Sequence, residues 1–485
     1  MGLWTRKSLE ELGKLTDSKG KHLTRSLTTF DLILFGIGAV IGAGLFSITG
    51  IAAAENAGPA IVISFALASI GCAFAGLCYS ELATMIPVSG SAYTYAYASM
   101  GELPAWLIGW SLILEYAIGA ATVAISWSAY VVSLLHDFKI FLPPDLIASP
   151  WQTVLLPNGT QATGIINLPA LLIIIAISFL LITGIRQSAL FNTLIVTVKM
   201  AVVLVFIAFG VFYINPENYV PFIPENTGIF GQYGWSGILR ATGVVFFAYI
   251  GFDAISTTAM ETKNPQKSLP RGILGSLFIC TLLYILFSLV LTGIANYTEL
   301  DVAAPVAYAI NKTPLPWMKW LITLAILAGL TSVILVFLLG QSRIFYVMAS
   351  DGLLPKYLAN LHPAFHTPWH ANLILMVFVG IISALAPISA VSHMTSIGTL
   401  LAFTFVCAGV IILRYKHPEY PRPFKTPLFP WVPLLGIATC FGMMVFLGSE
   451  SWLRLIGWML IGLIFYFVYS RSHAHPNSTL TEEEL

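Results

Sequence analysis

The chain reads as an all-α integral membrane protein of about twelve spans. The first ten form two five-span halves of opposite orientation, each opening with an interrupted helix, and two further spans follow. Three observations lead there. Apolar residues make up 57% of the 485 residues and charged residues 9%, against about 25% charged in ordinary soluble domains. The apolar residues fall in runs close to the roughly 20 residues that cross a bilayer. Two of those runs, the first and the sixth, are broken by small and polar residues in mid-span.

Taken in order, the polar residues 1–29 form a cytoplasmic segment. They hold no short apolar core ahead of a small-residue cleavage site, so no cleaved signal peptide is expected. Spans one to five are expected over 30–51, 59–86, 103–135, 165–185 and 190–213, the first repeat occupying 30–213. Spans six to ten follow over 238–259, 271–294, 317–342, 371–388 and 394–413, the second repeat occupying 238–413. Spans eleven and twelve take 427–448 and 452–470, and 471–485 is a cytoplasmic tail ending in the acidic "TEEEL". Spans two, three and eight run long, as tilted helices or helices that continue beyond the membrane do.

Charge placement sets the orientation. Arg6, Lys7, Lys14, Lys19, Lys21, Arg25, Arg186, Lys263, Lys267, Arg271, Arg343, Lys356, Arg414, Lys416, Arg422, Lys425 and Arg471 all fall on one face. The opposite face holds only Lys139, Arg240, Lys312, Lys319 and Arg454. Positive residues gather inside, so both termini are expected in the cytoplasm of a multi-pass plasma-membrane protein. A net charge of +1 gives no reason to expect a nucleic-acid partner. The five cysteines lie in apolar runs without a CxxC pair and read as free thiols.

The first break lies in "AVIGAGLFSITG", where Gly42, Gly44 and Gly50 follow Gly36 and Gly38. Each interior glycine costs about 1 kcal/mol of helix stability relative to alanine. The second lies in "FFAYIGFDAIST", where Gly251 and Asp253 interrupt span six. One glycine-rich helix is explained by close packing. Two breaks five spans apart, in halves of opposite orientation, are the pattern of a secondary transporter whose substrate sits at the midplane between them. Irregular backbone at that depth must be buried in protein or line a cavity.

Four stretches then carry a family resemblance: "GIGAVIGAGLF", "CYSELATMIPVSGSAYTYAYASMGE", "FFAYIGFDAISTTAMETKNPQKSLPRGI" and "RIFYVMASDGLLP". In this order, across residues 25–470, the chain resembles permeases of the amino acid, polyamine and organocation (APC) superfamily, in particular bacterial members of the cationic amino acid transporter family. The resemblance implies the leucine-transporter fold, alternating access, and amino acid transport usually coupled to protons, with cationic or small neutral L-amino acids as substrates.

A zwitterion at the midplane needs donors for its carboxylate and acceptors for its ammonium. Breaking span one frees amide N–H groups around Ala43, Gly44 and Leu45 at a positive half-helix end, which suits the carboxylate. By similarity to the family, the acceptors are carbonyls near Val40, Phe247 and Ile250. Phe246 and Phe252 are candidate gates, although aromatic residues in a span are more often packing.

Intramembrane ionisable groups are functional candidates, since each costs at least about 2.5–3.5 kcal/mol at mid-span. Lys199, in "LIVTVKMAVVLV", lies deep in span five and resembles the lysine that, in proton-coupled members of the fold, replaces an ion between helices one and eight. An amine that gains and loses a proton there is a switch. Thr331 and Ser332 on span eight, where the family's hydroxyl ligands lie, are candidate partners. Glu115 on span three reads as a side-chain selector or proton relay. Asp253 reads as a relay or as a brace for its broken helix. Asp31 and Glu81, at cytoplasmic span ends, read as gate or loop anchors.

Other signals are weak. Pro363 and Pro368 break any helix that would align His362, His366 and His370 as metal ligands, and no cofactor is implied. Asn158-Gly159-Thr160 is a glycosylation acceptor only in a host that glycosylates. A zinc protease would need HExxH, which is absent, and an aspartyl protease a second facing acid. The rival readings that stay open are an amino acid exchanger and an amino acid sensor on a transporter scaffold. The side-chain specificity and any accessory subunit stay open too.

Overall fold

Span one starts at a capping box. Asp31 accepts the Thr28 N–H (2.8 Å) while Asp31 N–H donates back to the Thr28 hydroxyl (3.4 Å), which satisfies two of the amides a helix start leaves unpaired. In this computed structural model, the residues described are 27–86, 91–150, 152–155, 161–183, 189–259, 262–314, 316–365, 367–392 and 396–474. The N-terminal cations Arg6 to Arg25, the Asn158 acceptor, Arg186, His366 and the acidic tail lie outside them.

A helix lies over each expected span. Span one is Thr29–Val40, then, after the break, a π-turn Gly44–Ile48, one α-turn Thr49–Ala52 and a second π-turn Ala53–Ala57. Spans two to five are Ile61–Met85, Glu102–Asp137, Leu168–Thr183 and Ala189–Gly210. Span six is Gly234–Val245 tightening into a 3-10 turn Phe246–Tyr249, with a short Ala254–Thr257 beyond its break. Spans seven to ten are Pro265–Ile294, Pro316–Ser350, Trp369–Leu385 and Ile397–Lys416. Trp431–Phe446 and Ser449–Phe465 complete the set. Among the described residues, eight helices are long and apolar enough to cross a membrane, and Thr29–Val40, Leu168–Thr183, Trp369–Leu385 and Trp431–Phe446 are shorter apolar helices. The protein is an all-α, multi-spanning membrane protein. A two-stranded antiparallel hairpin, Thr153–Leu155 with Gln161–Thr163, decorates the loop before span four.

Spans one, two, three, seven and eight make the dense centre, with one and two packed on seven and three on eight. Span twelve is fixed to span three by indoles: Trp110 Nε1 donates to the Trp458 carbonyl and Trp458 Nε1 to the Trp110 carbonyl, both at 2.8 Å. Its other face exposes Leu453, Ile456, Leu460 and Ile464, apolar side chains that need a lipid solvent rather than water.

The ends of spans two and ten are tied together by polar groups. Glu81 is buried and takes both Nε (2.9 Å) and Nη2 (2.6 Å) of Arg414, with the Thr426 N–H at 2.7 Å and Arg422 Nε at 3.4 Å. A buried carboxylate is tolerated when charge and hydrogen bonds surround it in this way. Between spans two and three lies a short helix, Ser91–Ser99, whose nine residues are all buried. Tyr93 anchors it by donating to Asp351 at 2.7 Å.

Candidate functional site

The break in span one begins at Ile41, whose extended backbone (ψ 105°) ends the first half-helix. The second half restarts at once, with the Leu45 and Phe46 N–H groups both returning to the Gly42 carbonyl at 3.1 Å. The expected carboxylate ligands Ala43, Gly44 and Leu45 therefore stand at a half-helix N-terminus, the end that favours negative charge. In span six, Ile250 is extended and Gly251 has φ +116°, a value L side chains rarely adopt.

These two breaks touch. A Cβ on Gly44 would lie 2.3 Å from Ala248 Cα, and a Cβ on Gly251 would lie 2.9 Å from the Ala39 carbonyl oxygen. Both glycines thus serve close backbone approach as well as irregular conformation. Gly36 packs in the same way on Ser276 of span seven, so small-residue packing and helix interruption are combined in one segment.

The carbonyls that end the first half-helix are claimed by side chains from other spans. Lys199, 1% exposed, donates to Gly38 O at 2.8 Å and to Ile41 O at 3.3 Å. Its methylene stem lies against Gly329 of span eight, where a Cβ would sit 3.1 Å from Lys199 Cε. The lysine is thus wedged between spans one and eight. Thr331 and Ser332 turn elsewhere: Thr331 Oγ1 donates to Leu327 O and accepts Trp127 Nε1, and Ser332 Oγ donates to Gly329 O. The Tyr284 hydroxyl of span seven stands 2.9 Å from Val40 O and 2.7 Å from Ala248 O. It carries one hydrogen, so it satisfies only one of them fully at a time. Phe247 O accepts the Ile250 N–H at 3.1 Å. Beyond the break, Tyr130 of span three donates to Phe46 O at 2.5 Å.

Asp253 braces span six. Its Oδ1 accepts the Gly251 N–H at 3.2 Å, and its Oδ2 accepts Tyr116 of span three (3.2 Å) and Ser91 (3.4 Å). Glu115, one residue from Tyr116, is buried, and its Oε2 has no hydrogen-bond partner among the described residues. It faces the start of span ten, where a Cβ on Gly398 would lie 3.3 Å from Oε2. Phe246 and Phe252 pack edge-on or tilted against Phe403 of span ten, at 5.6 and 5.0 Å between centroids. Phe252 also meets Tyr79 of span two at 5.9 Å. Val40, Ala43, Leu45, Phe247, Ile250 and Glu115 are each 5% exposed or less, so a ligand reaches them only when the two breaks part.

Sequence reasoning missed Tyr284, Tyr130 and both π-turns of span one. An insertion of that kind is frequent at functional sites, but no residue pattern announces it. His362 of the histidine cluster has a loop role, Nδ1 accepting the Ala364 and Phe365 N–H groups at 3.2 and 3.3 Å.

A family model described as amino acid permease matches residues 27–469. A methylthioribose transporter of Bacillus subtilis (strain 168) is 42% identical, covering 98% of this chain and 99% of its own length. The branched-chain amino acid permease BcaP of the same organism is 41% identical over the same shares. The vacuolar cationic amino acid transporter 4 of Arabidopsis thaliana is 34% identical, covering 85% of this chain and 67% of its own length. The expected leaning toward cationic transporters is therefore not singled out, since proteins named for other substrates share more residues with this chain. The chain belongs to the amino acid permeases of the APC superfamily, and it is a membrane-embedded secondary transporter, not an enzyme.

Proposed function

We propose that this permease carries L-amino acids across the plasma membrane by alternating access, in symport with protons, with small neutral, branched-chain or cationic side chains. The observation that carries this reading is the meeting of two interrupted helices at Gly44/Ala248 and Ala39/Gly251, with amide donors on one side and carbonyl acceptors on the other. A zwitterion supplies the complement of both. Ala43 and Gly44 take its carboxylate, joined by Leu45 when its N–H leaves Gly42 O, and Val40, Phe247 and Ile250 take its ammonium.

The packing supports the leucine-transporter fold with a repeat of five plus five spans. If span n of the first half corresponds to span n+5 of the second, several of the main contacts have a mate. One against seven mates with six against two, five against eight with ten against three, and five against seven with ten against two. All of these pairs pack together. Two against seven, three against eight and four against nine are their own mates, and they pack too. With positive residues inside, both termini are cytoplasmic.

Lys199 is the proton-coupling group of this reading. Charged, it clamps Gly38 and Ile41; neutral, it releases span one from span eight. Asp253 is a further candidate on the proton route, and Thr331 and Ser332 join it only when their hydroxyls leave the carbonyls of their own helix. Glu115 selects the side chain, and Phe246 and Phe252 gate it.

A second reading follows from the 42% identical relative named for methylthioribose, a sugar with neither carboxylate nor ammonium. Thermal stabilisation of purified protein separates the two, because a ligand that prefers the folded state raises its apparent stability. Stabilisation by amino acids and loss of that effect on removal of the α-amine support the zwitterion site. Stabilisation by methylthioribose alone overturns it.

A further inference from the structure

On the face that the lysine and arginine distribution assigns to the outside, a cavity of about 360 Å³ opens between the ends of the two interrupted helices. That lies at the small end of the roughly 300–1,000 Å³ typical of ligand clefts. It is lined by Ala54, Glu55 and Asn56 from the second π-turn of span one, and by Gln232, Tyr233 and Arg240 at the head of span six. Its walls are cross-tied and therefore held in shape. The Tyr233 N–H donates to Asn56 O at 2.8 Å, Asn56 Nδ2 to Gly231 O at 2.8 Å, and the Tyr233 hydroxyl to Ala54 O at 2.5 Å.

Among the described residues, two lining groups are left with unused capacity of opposite kind. Asn56 is 3% exposed, and its Oδ1, an acceptor, has no partner. Arg240 Nε, a donor, is buried without one, and the guanidinium makes a long contact from Nη1 to Phe230 O at 3.5 Å. Gly231, at φ +85°, keeps the guanidinium in place, since a Cβ there would lie 2.3 Å from Arg240 Cδ. Buried polar atoms without partners are rare, and a cavity that strands one acceptor and one cationic donor fits a ligand carrying both charges. Burial and, after it, the charge of Glu55 hold the Asp301 carboxyl above the usual range. Glu55, next to Asn56 in the chain, also lines the cavity and sets a carboxylate on its acceptor side.

Resting on the zwitterion reading above, we propose that this cavity is an outer subsite on the access path. Arg240 receives the substrate carboxylate, and Asn56 Oδ1 receives the ammonium within the field of Glu55. The same two helices lead inward from it. Asn56 stands twelve positions beyond Gly44 along span one, roughly 18 Å at helical rise, so a captured amino acid is handed along one continuous element to the break.

The test compares the two faces of the membrane. Uptake of an L-amino acid found to stabilise the protein is measured in intact cells, which present the outer face, and in inside-out vesicles, which present the cytoplasmic one. Arg240→Met keeps much of the stem and removes the charge. It should raise KM at the outer face at least about tenfold, as loss of a charged hydrogen bond does, with kcat from that face rising in step, because losing an outer bound state leaves kcat/KM as it was, and with the KM from the cytoplasmic face unchanged. Arg240→Lys keeps the charge but loses the planar fork and should fall between. Unchanged outer KM in both variants overturns the subsite, and so does an equal loss from both faces, which places Arg240 in the fold. Failure of the central site is distinguishable, because a substitution at Gly44 abolishes transport from both faces.

Discussion

At the break in span one, the open carbonyls are held by side chains from other spans. Lys199 of span five takes Gly38 and Ile41, and Tyr284 of span seven reaches Val40. At the break in span six part of the hold is local, with Asp253 accepting the N–H of Gly251 two residues earlier while its other oxygen takes Tyr116 and Ser91. The first arrangement changes when a neighbouring span moves or a single amine changes charge. The local part of the second persists as long as its turn does. Two interruptions that look alike in sequence therefore have different mechanical characters: span one is the adjustable partner and span six the pre-formed one. Tyr284 joins them, since its hydroxyl also reaches Ala248 O.

The largest effect is expected where the breaks touch. Gly44→Ala already places a Cβ 2.3 Å from Ala248 Cα, a backbone atom that cannot rotate aside, and Gly44→Val adds more. Overpacking of this kind costs about 1–3 kcal/mol or more. Uptake of every substrate should be lost alike, with a lower melting temperature in detergent. Gly42→Ala is the contrast. Its Cβ would meet only the Val333 side chain, at 3.0 Å, and it should retain transport. Loss of one amino acid with others preserved would show that Gly44 serves a side chain, not the shared backbone of the substrate.

Next in size is Lys199→Met, which removes the clamp from Gly38 and Ile41. Hydrogen bonds from a charged donor are worth about 1.5–3 kcal/mol, so the variant should melt earlier. In proteoliposomes it should fail to accumulate amino acid under an inward proton gradient while still binding it. Full gradient-driven accumulation would remove the lysine from the coupling role and with it the idea that span one is the adjustable half.

The helices were legible because an apolar run of bilayer length suits little besides a membrane span. The residues at which two of them fail were legible because glycine weakens a helix wherever it falls. The partners of the broken ends were not. A tyrosine in an apolar run such as "TLLYILFSLV" looks like any packing residue, and only the crossing of spans one, six and seven brings Tyr284 within 3 Å of two carbonyls. Thr331 and Ser332 mislead for a related reason. A hydroxyl in a helix can satisfy itself on the carbonyl three or four residues back, as both do, so position near a site does not commit it to that site. The Ser91–Ser99 stretch falls between two expected spans, yet it is a helix, and burial of all nine residues makes it part of the core.

The brace in span six sharpens the comparison at a smaller scale. Asp253→Asn keeps an oxygen to accept the Gly251 N–H, so its stability should stay close to that of the native protein. Asp253→Ala strands that amide and should lose about 1–3 kcal/mol, read as a shift in chemical or thermal unfolding. If the asparagine variant also lost proton-driven accumulation while folding normally, the carboxylate would be a coupling group. Break six would then no longer be the passive one.

The smallest effect on the fold, and the most specific one on transport, is expected at Glu115. Its Oε2 is buried, has no hydrogen-bond partner among the described residues, and points at the start of span ten beside Gly398, where unpaired helix amides favour negative charge. Because no hydrogen bond depends on Oε2, Glu115→Gln has the same shape and breaks no bond there, exchanging one unpartnered polar group for another, so unfolding should shift by less than about 1 kcal/mol. What changes is the charge offered to a substrate side chain. The ratio of cationic to neutral amino acid uptake should fall, because a cationic side chain loses its countercharge while a neutral one loses nothing. Gly398→Ala tests the same contact from the other side. A Cβ 3.3 Å from Oε2 displaces the carboxylate without altering its charge, and it should move the ratio in the same direction but less. An unchanged ratio with reduced total uptake in both variants would assign Glu115 to the packing of spans three and ten, and side-chain selection would have to come from the aromatic surface of Phe247 and Phe337, whose rings lie 6.3 Å apart.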